Sequence, residues 1–258
     1  MAPDLPDLRT CKKIGFIVPS SNTVVEPYCN AIVQSLNANI ICLYTRIAVK
    51  KVGTDASSTS QFSTETMVNA AKLLADAECD AILWNGTSGM WVGTRLEADE
   101  ALAKAMQDAT VGIPCSTTTL ATVNALRHHK IKTIALAVPY TEALTSKLVD
   151  FFASCGFNVE RAERLAVTPK DNLAIGKCKP SDVREVIWHC VDGQDRNSVD
   201  AVVVACTNWP GAGFAEEFEM QWGALLVDSI AVTVWQALQM TGFRVGATGW
   251  GRLLAENR

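Results

Sequence analysis

The chain has 258 residues, 48% of them hydrophobic and 19% charged, with a net charge of −4. That is a globular composition with material for one large domain or two small ones. With no Lys/Arg cluster it lacks the footprint of a nucleic-acid binder, and no apolar run reaches the roughly 18–20 residues that span a bilayer.

The opening MAPDLPDLRTCKK is polar and lacks the apolar stretch of a signal peptide. The expectation is a cytoplasmic protein whose nine cysteines are reduced thiols. They are scattered, no pair has metal-ligand spacing, and no metal is expected.

The predicted elements alternate along the chain. Residues 14–18 form a short apolar run closed by Pro19, read as a buried strand. A helix over 24–36 and a strand over 39–47 follow. A helix fits 62–77, a strand 81–85, and a helix 95–109 that stops ahead of Gly112-Ile113-Pro114. The next helix, 117–129, ends in His128 and His129, where cations sit well. Then come strand 133–138, helix 141–155, strand 157–165, helix 181–192 and strand 201–205. A last strand, 224–227, feeds helix 229–240. Strands such as AILW and AVVVA are apolar throughout, as in parallel sheets covered on both faces.

The chain also repeats itself. Pro19 and Pro139 close similar apolar runs 120 positions apart. The segments from Asp80 to Thr87 and from Asp200 to Thr207 keep the same offset of 120. A register shared by two separate motifs points to duplication. The predicted fold class is α/β: two duplicated Rossmann-like (flavodoxin-like) parallel-sheet halves related by pseudo-twofold symmetry. Residues 1–116 with 228–258 make one half and 117–227 the other.

Ligands of open parallel sheets bind beyond the carboxyl ends of the strands. That rule selects the loops at Pro19 to Asn22, Gly86 to Gly89, Pro139 to Thr141 and Cys206 to Asn208, which meet in one cleft if the halves face each other. Their hydroxyls and backbone N–H groups suit a small carboxylic acid as substrate.

Cys206 stands at a strand tip, expected close to a helix N-terminus that lowers its pKa, and is the candidate acid/base. The bland alternative is a buried structural cysteine. Gly86, its duplicate, has no side chain, which argues for a single acid; it could instead permit a tight turn. Thr87 and Ser88 are donors to a carboxylate or enolate, or caps of the helix that follows. Tyr140 takes the position of Ser20 in the repeat and offers a phenol, with the Asn22 amide beside it. Ser20 and Ser21 could line the cleft or cap a helix. Trp84, Trp91 and Trp209 could wall it or simply pack, and packing is preferred for Trp84. The segment from Gly249 to Arg252 reads as a turn docking the C-terminal tail. No phosphate loop, GxGxxG or GxSxG occurs, and Cys206 has no obvious histidine partner.

At these loops the chain resembles the aspartate/glutamate racemase superfamily, in the branch that holds arylmalonate decarboxylases and maleate cis–trans isomerases. The likeness runs from IGFIVPSSNTVVEP to GWGRLL and is strongest in NGTSGMWVG, VGIPCSTTTLATVNALR and ALAVPYTEAL. It implies a cofactor-independent enzyme with Cys206 as the single retained cysteine. Gly86, Thr87 and Ser88 stand where racemases carry their first cysteine. The implied dioxyanion pocket comprises Thr87, Ser88, Tyr140 and the backbone around Cys206 and Thr207. The implied reaction is decarboxylation of a malonate-type diacid through an enediolate that Cys206 protonates. The PSSN sequence instead resembles the isomerases, in which the asparagine at Asn22 binds a carboxylate, so a maleate isomerase or racemase is the alternative. A non-catalytic carboxylate-binding protein is a further one. No cofactor, membrane or nucleic-acid partner is implied; a homo-oligomer is compatible with the likeness.

Overall fold

A computed structural model describes residues 7–49, 52–93, 95–193, 198–244 and 246–255. The first sheet is fully parallel with strand order β2-β1-β3-β4, built from β1 (Lys12–Pro19), β2 (Ile40–Ile47), β3 (Ala81–Trp84) and β4 (Cys115–Thr117). The second repeats that order as β6-β5-β7-β8, from β5 (Thr133–Val138), β6 (Asn158–Arg164), β7 (Ala201–Val204) and β8 (Leu225–Asp228). The duplication extends to single hydrogen bonds. Asp80 Oδ2 accepts from the backbone N of Lys13 at 2.8 Å, and Asp200 Oδ2 accepts from that of Thr133 at 2.8 Å. Each acid pins the strand that pairs with its own.

The helices are α1 (Val25–Ser35), α2 (Ala56–Thr59), α3 (Thr64–Ala75), α4 (Gly89–Val92), α5 (Leu96–Ala109), α6 (Thr118–His128), α7 (Glu142–Ser154), α8 (Asn172–Ile175), α9 (Pro180–His189), α10 (Ala215–Trp222), α11 (Ser229–Met240) and α12 (Arg252–Ala255). Caps explain several starts: Ser63, Thr117, Thr141 and Asp228 each accept a backbone N–H of the first turn. The predicted elements are all present. The reading missed β4, three residues too short to show a period, and the helices α2, α4, α8, α10 and α12. All of these helices but α10 have only four residues.

The main core runs through both halves, joining Phe16 and Leu83 of the first sheet to Leu136 and Val203 of the second. A smaller cluster covers the other face of the first sheet and includes Ile17, Ile82, Met67, Leu74, Trp84 and Met106. α11 follows the second sheet in the chain, yet it packs on α6, α1 and β3. Between α6 and α11 the hydroxyls of Thr118 and Thr233 meet at 2.7 Å, both fully buried. The C-terminal turn docks through Glu219, whose carboxylate accepts from the Arg252 backbone at 2.7 Å. Gly251 there has φ +78°, the left-handed region that favours glycine. Among the described residues no helix is long and apolar enough to cross a membrane, and no side-chain cluster could hold a metal ion.

Candidate active site

β1, β3, β5 and β7 are the inner strands of the two sheets, and their carboxyl ends meet in one narrow cleft with a cavity volume of about 30 Å³. It is lined by Pro19 and Asn22 after β1, Gly86, Thr87 and Ser88 after β3, Tyr140 after β5, and Cys206 and Thr207 after β7. All eight candidate residues are therefore together. The lining also holds Val49, Val52, Phe62, Trp84, Trp91, Asn172 and Asn208. None of these described residues is charged, so the polar contacts they offer a ligand are neutral ones. A larger hollow around His129, Lys130 and Arg252, at the other end of the second sheet, shares none of them.

The donors are preset by one another. The Thr87 and Tyr140 hydroxyls lie 3.1 Å apart, and Tyr140 meets Trp91 edge-on with ring centroids 5.4 Å apart. Ser88 precedes α4 but makes no capping bond; it accepts from Trp84 Nε1 at 3.2 Å, which leaves its own proton to donate. Asn22 Oδ1 accepts from the backbone of Val24 and Val25, so its Nδ2 is aimed across the cleft, 3.3 Å from Thr207 Oγ1. Ser20 and Ser21 neither line the cleft nor cap α1; their hydroxyls bond the backbone of Val49 beyond β2.

Cys206 is 3% exposed. No helix begins at it: the next helical turn starts at Ala212, so the expected helix-end lowering of its pKa does not operate. Burial instead pushes the thiol up to about 12, against smaller downward pulls from the Tyr140 hydroxyl and the Asn208 backbone N–H. Tyr140 is held as a neutral phenol well above its ordinary value, chiefly by burial. At neutral pH the cleft thus presents a thiol, a phenol, hydroxyls and amides, all able to donate.

Gly86 has no positive φ, so no turn requires glycine there. The requirement is steric: a Cβ would collide with the Trp84 indole, 2.6 Å from Cε2. Trp84, read from sequence as packing, both packs and lines the cleft, whereas Trp209 is fully buried away from the lining. The sequence reading placed Asn208 in a cleft loop without giving it a role, and missed Asn172. A role for Asn208 could have been sought, since it stands 120 positions after Ser88. Asn172 lies in the one-turn α8 of a polar stretch, with no positional signal. Asn208 Oδ1 accepts from Thr23 N at 2.9 Å and its Nδ2 donates to the Asn172 carbonyl, while Asn172 Nδ2 donates to Ser21 Oγ at 2.8 Å. The bonds to Thr23 and Ser21 clasp the two halves across the cleft, and the bond between the two asparagines ties them together.

A family model described as arylmalonate decarboxylase matches residues 14–254. The maleate isomerase of Pseudomonas putida is 28% identical over 94% of this chain and 97% of its own length. The arylmalonate decarboxylase of Bordetella bronchiseptica is 26% identical over 75% of this chain and 78% of its own. In fold, a mutant of the Nocardia farcinica maleate cis–trans isomerase with a covalently bound succinylcysteine intermediate superposes with a TM-score of 0.83. It has 23% identity and covers 95% of this chain and 98% of that one. A crystal structure of arylmalonate decarboxylase gives 0.75 at 23% identity, covering 94% of this chain and 98% of that one. The duplicated sheets, the cleft between them and the match over nearly the whole chain lead to one conclusion: this chain belongs to the arylmalonate decarboxylase family, within the aspartate/glutamate racemase superfamily branch that also holds the maleate isomerases.

Proposed function

We propose that this chain is a cofactor-independent decarboxylase of a small malonate-type diacid. That it is an enzyme, a carboxy-lyase or an isomerase, follows from the family. One observation carries the finer choice: the described lining contains a single thiol, Cys206, which burial holds protonated. A protonated thiol is a proton donor, whereas covalent addition needs a thiolate.

In the proposed reaction one carboxylate of the substrate faces Thr87, Ser88 and Tyr140. The bond from the α-carbon to the other carboxylate breaks and CO2 leaves, with the electron pair retained as an enediolate. Donors already aimed at that carboxylate stabilise the charge as it develops. Cys206 then gives its proton to the α-carbon, and water returns a proton to the thiolate. Asn22 orients the substrate, and Pro19, Gly86 and Thr207 complete the wall.

A second reading, isomerisation of maleate, is favoured by two of the three asparagine amides in the lining, Asn22 and Asn172, which suit a second carboxylate that stays bound. It requires Cys206 to add to the double bond as a thiolate.

Proton NMR in D2O with methylmalonate, phenylmalonate and maleate separates the readings. The expected product has lost CO2 and gained one deuterium, and is absent with Cys206→Ala. Fumarate from maleate with no decarboxylation of either malonate would establish the isomerase instead. Undiminished turnover by Cys206→Ala would remove the thiol from the reaction.

A further inference from the structure

Trp84 ends β3, two residues before Gly86, and its indole folds back over the loop that follows. The ring fills the space a side chain at position 86 would need, and its Nε1 is bonded to Ser88. Phe62 backs it, with ring centroids 6.0 Å apart. Trp84, Phe62 and Ser88 line the cleft that contains Cys206. The same three residues also line a second hollow of about 170 Å³, whose lining includes Met67, Val92, Leu102 and Asp99. Asp99, the only charged group among the described residues of that lining, is engaged by Thr117 Oγ1 at 2.6 Å. The remaining lining is mostly apolar, of the kind that takes an alkyl or aryl group. Trp84 and Phe62 therefore form a wall with space on both sides.

We propose that Trp84 sets the size limit of the substrate, walling the reaction cleft off from an apolar chamber that would otherwise take a bulky substituent. The enzyme then acts on compact acids in preference to aryl-bearing ones. This rests on the acid reading given above. The physical case is that packed interiors do not share space: a phenyl substituent cannot enter volume the indole holds, and overpacking it there weakens binding on the order of tenfold or more. The wall is a local device, because the indole's hydrogen bond to Ser88, its ring contact with Phe62 and the core cluster it joins all belong to the first half of the molecule.

Calorimetric titration in a Cys206→Ala background, which removes turnover, tests this with methylmalonate and phenylmalonate. With Trp84 in place, methylmalonate is expected to bind at least tenfold tighter. Adding Trp84→Leu is expected to reverse the order, and Trp84→Phe, which disturbs packing less, to move the ratio the same way by a smaller factor. An unchanged ratio in both variants overturns the proposal. If neither acid binds in any background, the acid reading has failed, and the wall is judged by melting temperature alone. Gly86→Ala should lower it by about 3 °C or more beside Trp84 and by much less in the Trp84→Leu background. Equal losses in the two backgrounds overturn the wall.

Discussion

Cys206 owes its character to burial, and that has a pH signature. An ordinary thiol is half ionised near 8.5–9, but this one is pushed up to about 12. Turnover that uses the thiol form should show no descending limb between pH 7 and 10. A loss of kcat centred near 8 would mean that an unshifted thiolate decides the rate. In the proposed reaction Tyr140→Phe removes a donor from the developing enediolate, and with it a bond that favours the thiolate. The expected cost is on the order of a hundredfold in kcat with a smaller change in KM. A second buried acid makes a different prediction. Asp228 is fully buried at the end of β8; its Oδ1 caps α11, while Oδ2 faces the Gly211–Ala212 backbone without a well-formed hydrogen bond. Burial raises its carboxyl to about 7. In the window between 3.8 and 7 the folded state holds the proton that the unfolded state has lost. The stability it contributes is therefore full below 3.8, falls as pH rises and is gone above 7. Asp228→Asn keeps an acceptor for the cap and removes the charge. Denaturation should show it more stable than the parent by on the order of 2–4 kcal/mol at pH 8, with the gap closing toward pH 4. A gap independent of pH would show that Asp228 is not the titrating group.

The strands carry their own anchors. Asp200 accepts from the backbone N of Lys132 at 2.9 Å and of Thr133 at 2.8 Å, at the point where β5 enters its sheet. Asp200→Ala leaves both donors to solvent and should cost about 1–2 kcal/mol in urea denaturation, as should Asp80→Ala in the first half. A loss in only one of them would mean that the two clamps, alike in their bond to Lys13 or Thr133 but not in their second donor, differ in energy. The clamps also explain why the repeat was legible. Asp80 and Asp200 hold the offset because each must reach the strand beside it, and the apolar runs after them are read directly as strands buried on both faces. The loops were placed by the same logic, since Thr87 and Thr207 follow those strands at once. What was not legible came from long range. β4 is strand only because it pairs with β3, and its three residues carry no period. Trp84 looked like packing because a strand-end tryptophan on an apolar run gives no hint that its ring turns back over Gly86. Asn172 is held at the cleft by residues distant in sequence, Asn208 and Ser21.

The whole molecule is one site shared by two halves, and this shapes how it should unfold. The duplication gives each half a sheet with its own helices, so two independent transitions would be natural. The packing argues otherwise. The main hydrophobic cluster is continuous through both sheets, and α11 leaves the second to pack on α1 and β3. The Thr118–Thr233 pair and the bonds of Asn208 to Thr23 and of Asn172 to Ser21 cross between the halves with no charge for salt to screen. Removing one half would expose core as well as open the cleft. Urea unfolding should accordingly be one transition, with the same midpoint by circular dichroism and by tryptophan fluorescence, and little change between low and high salt. The tryptophans sample both parts, Trp84 and Trp91 in the first and Trp188 and Trp222 in the second. A bound diacid touches both halves, so at a hundredfold excess over its Kd it should stabilise that single transition by about 2.7 kcal/mol. Two separated midpoints, with the acid raising only one of them, would mean that the cleft belongs to one half and that the duplication has kept its parts energetically apart.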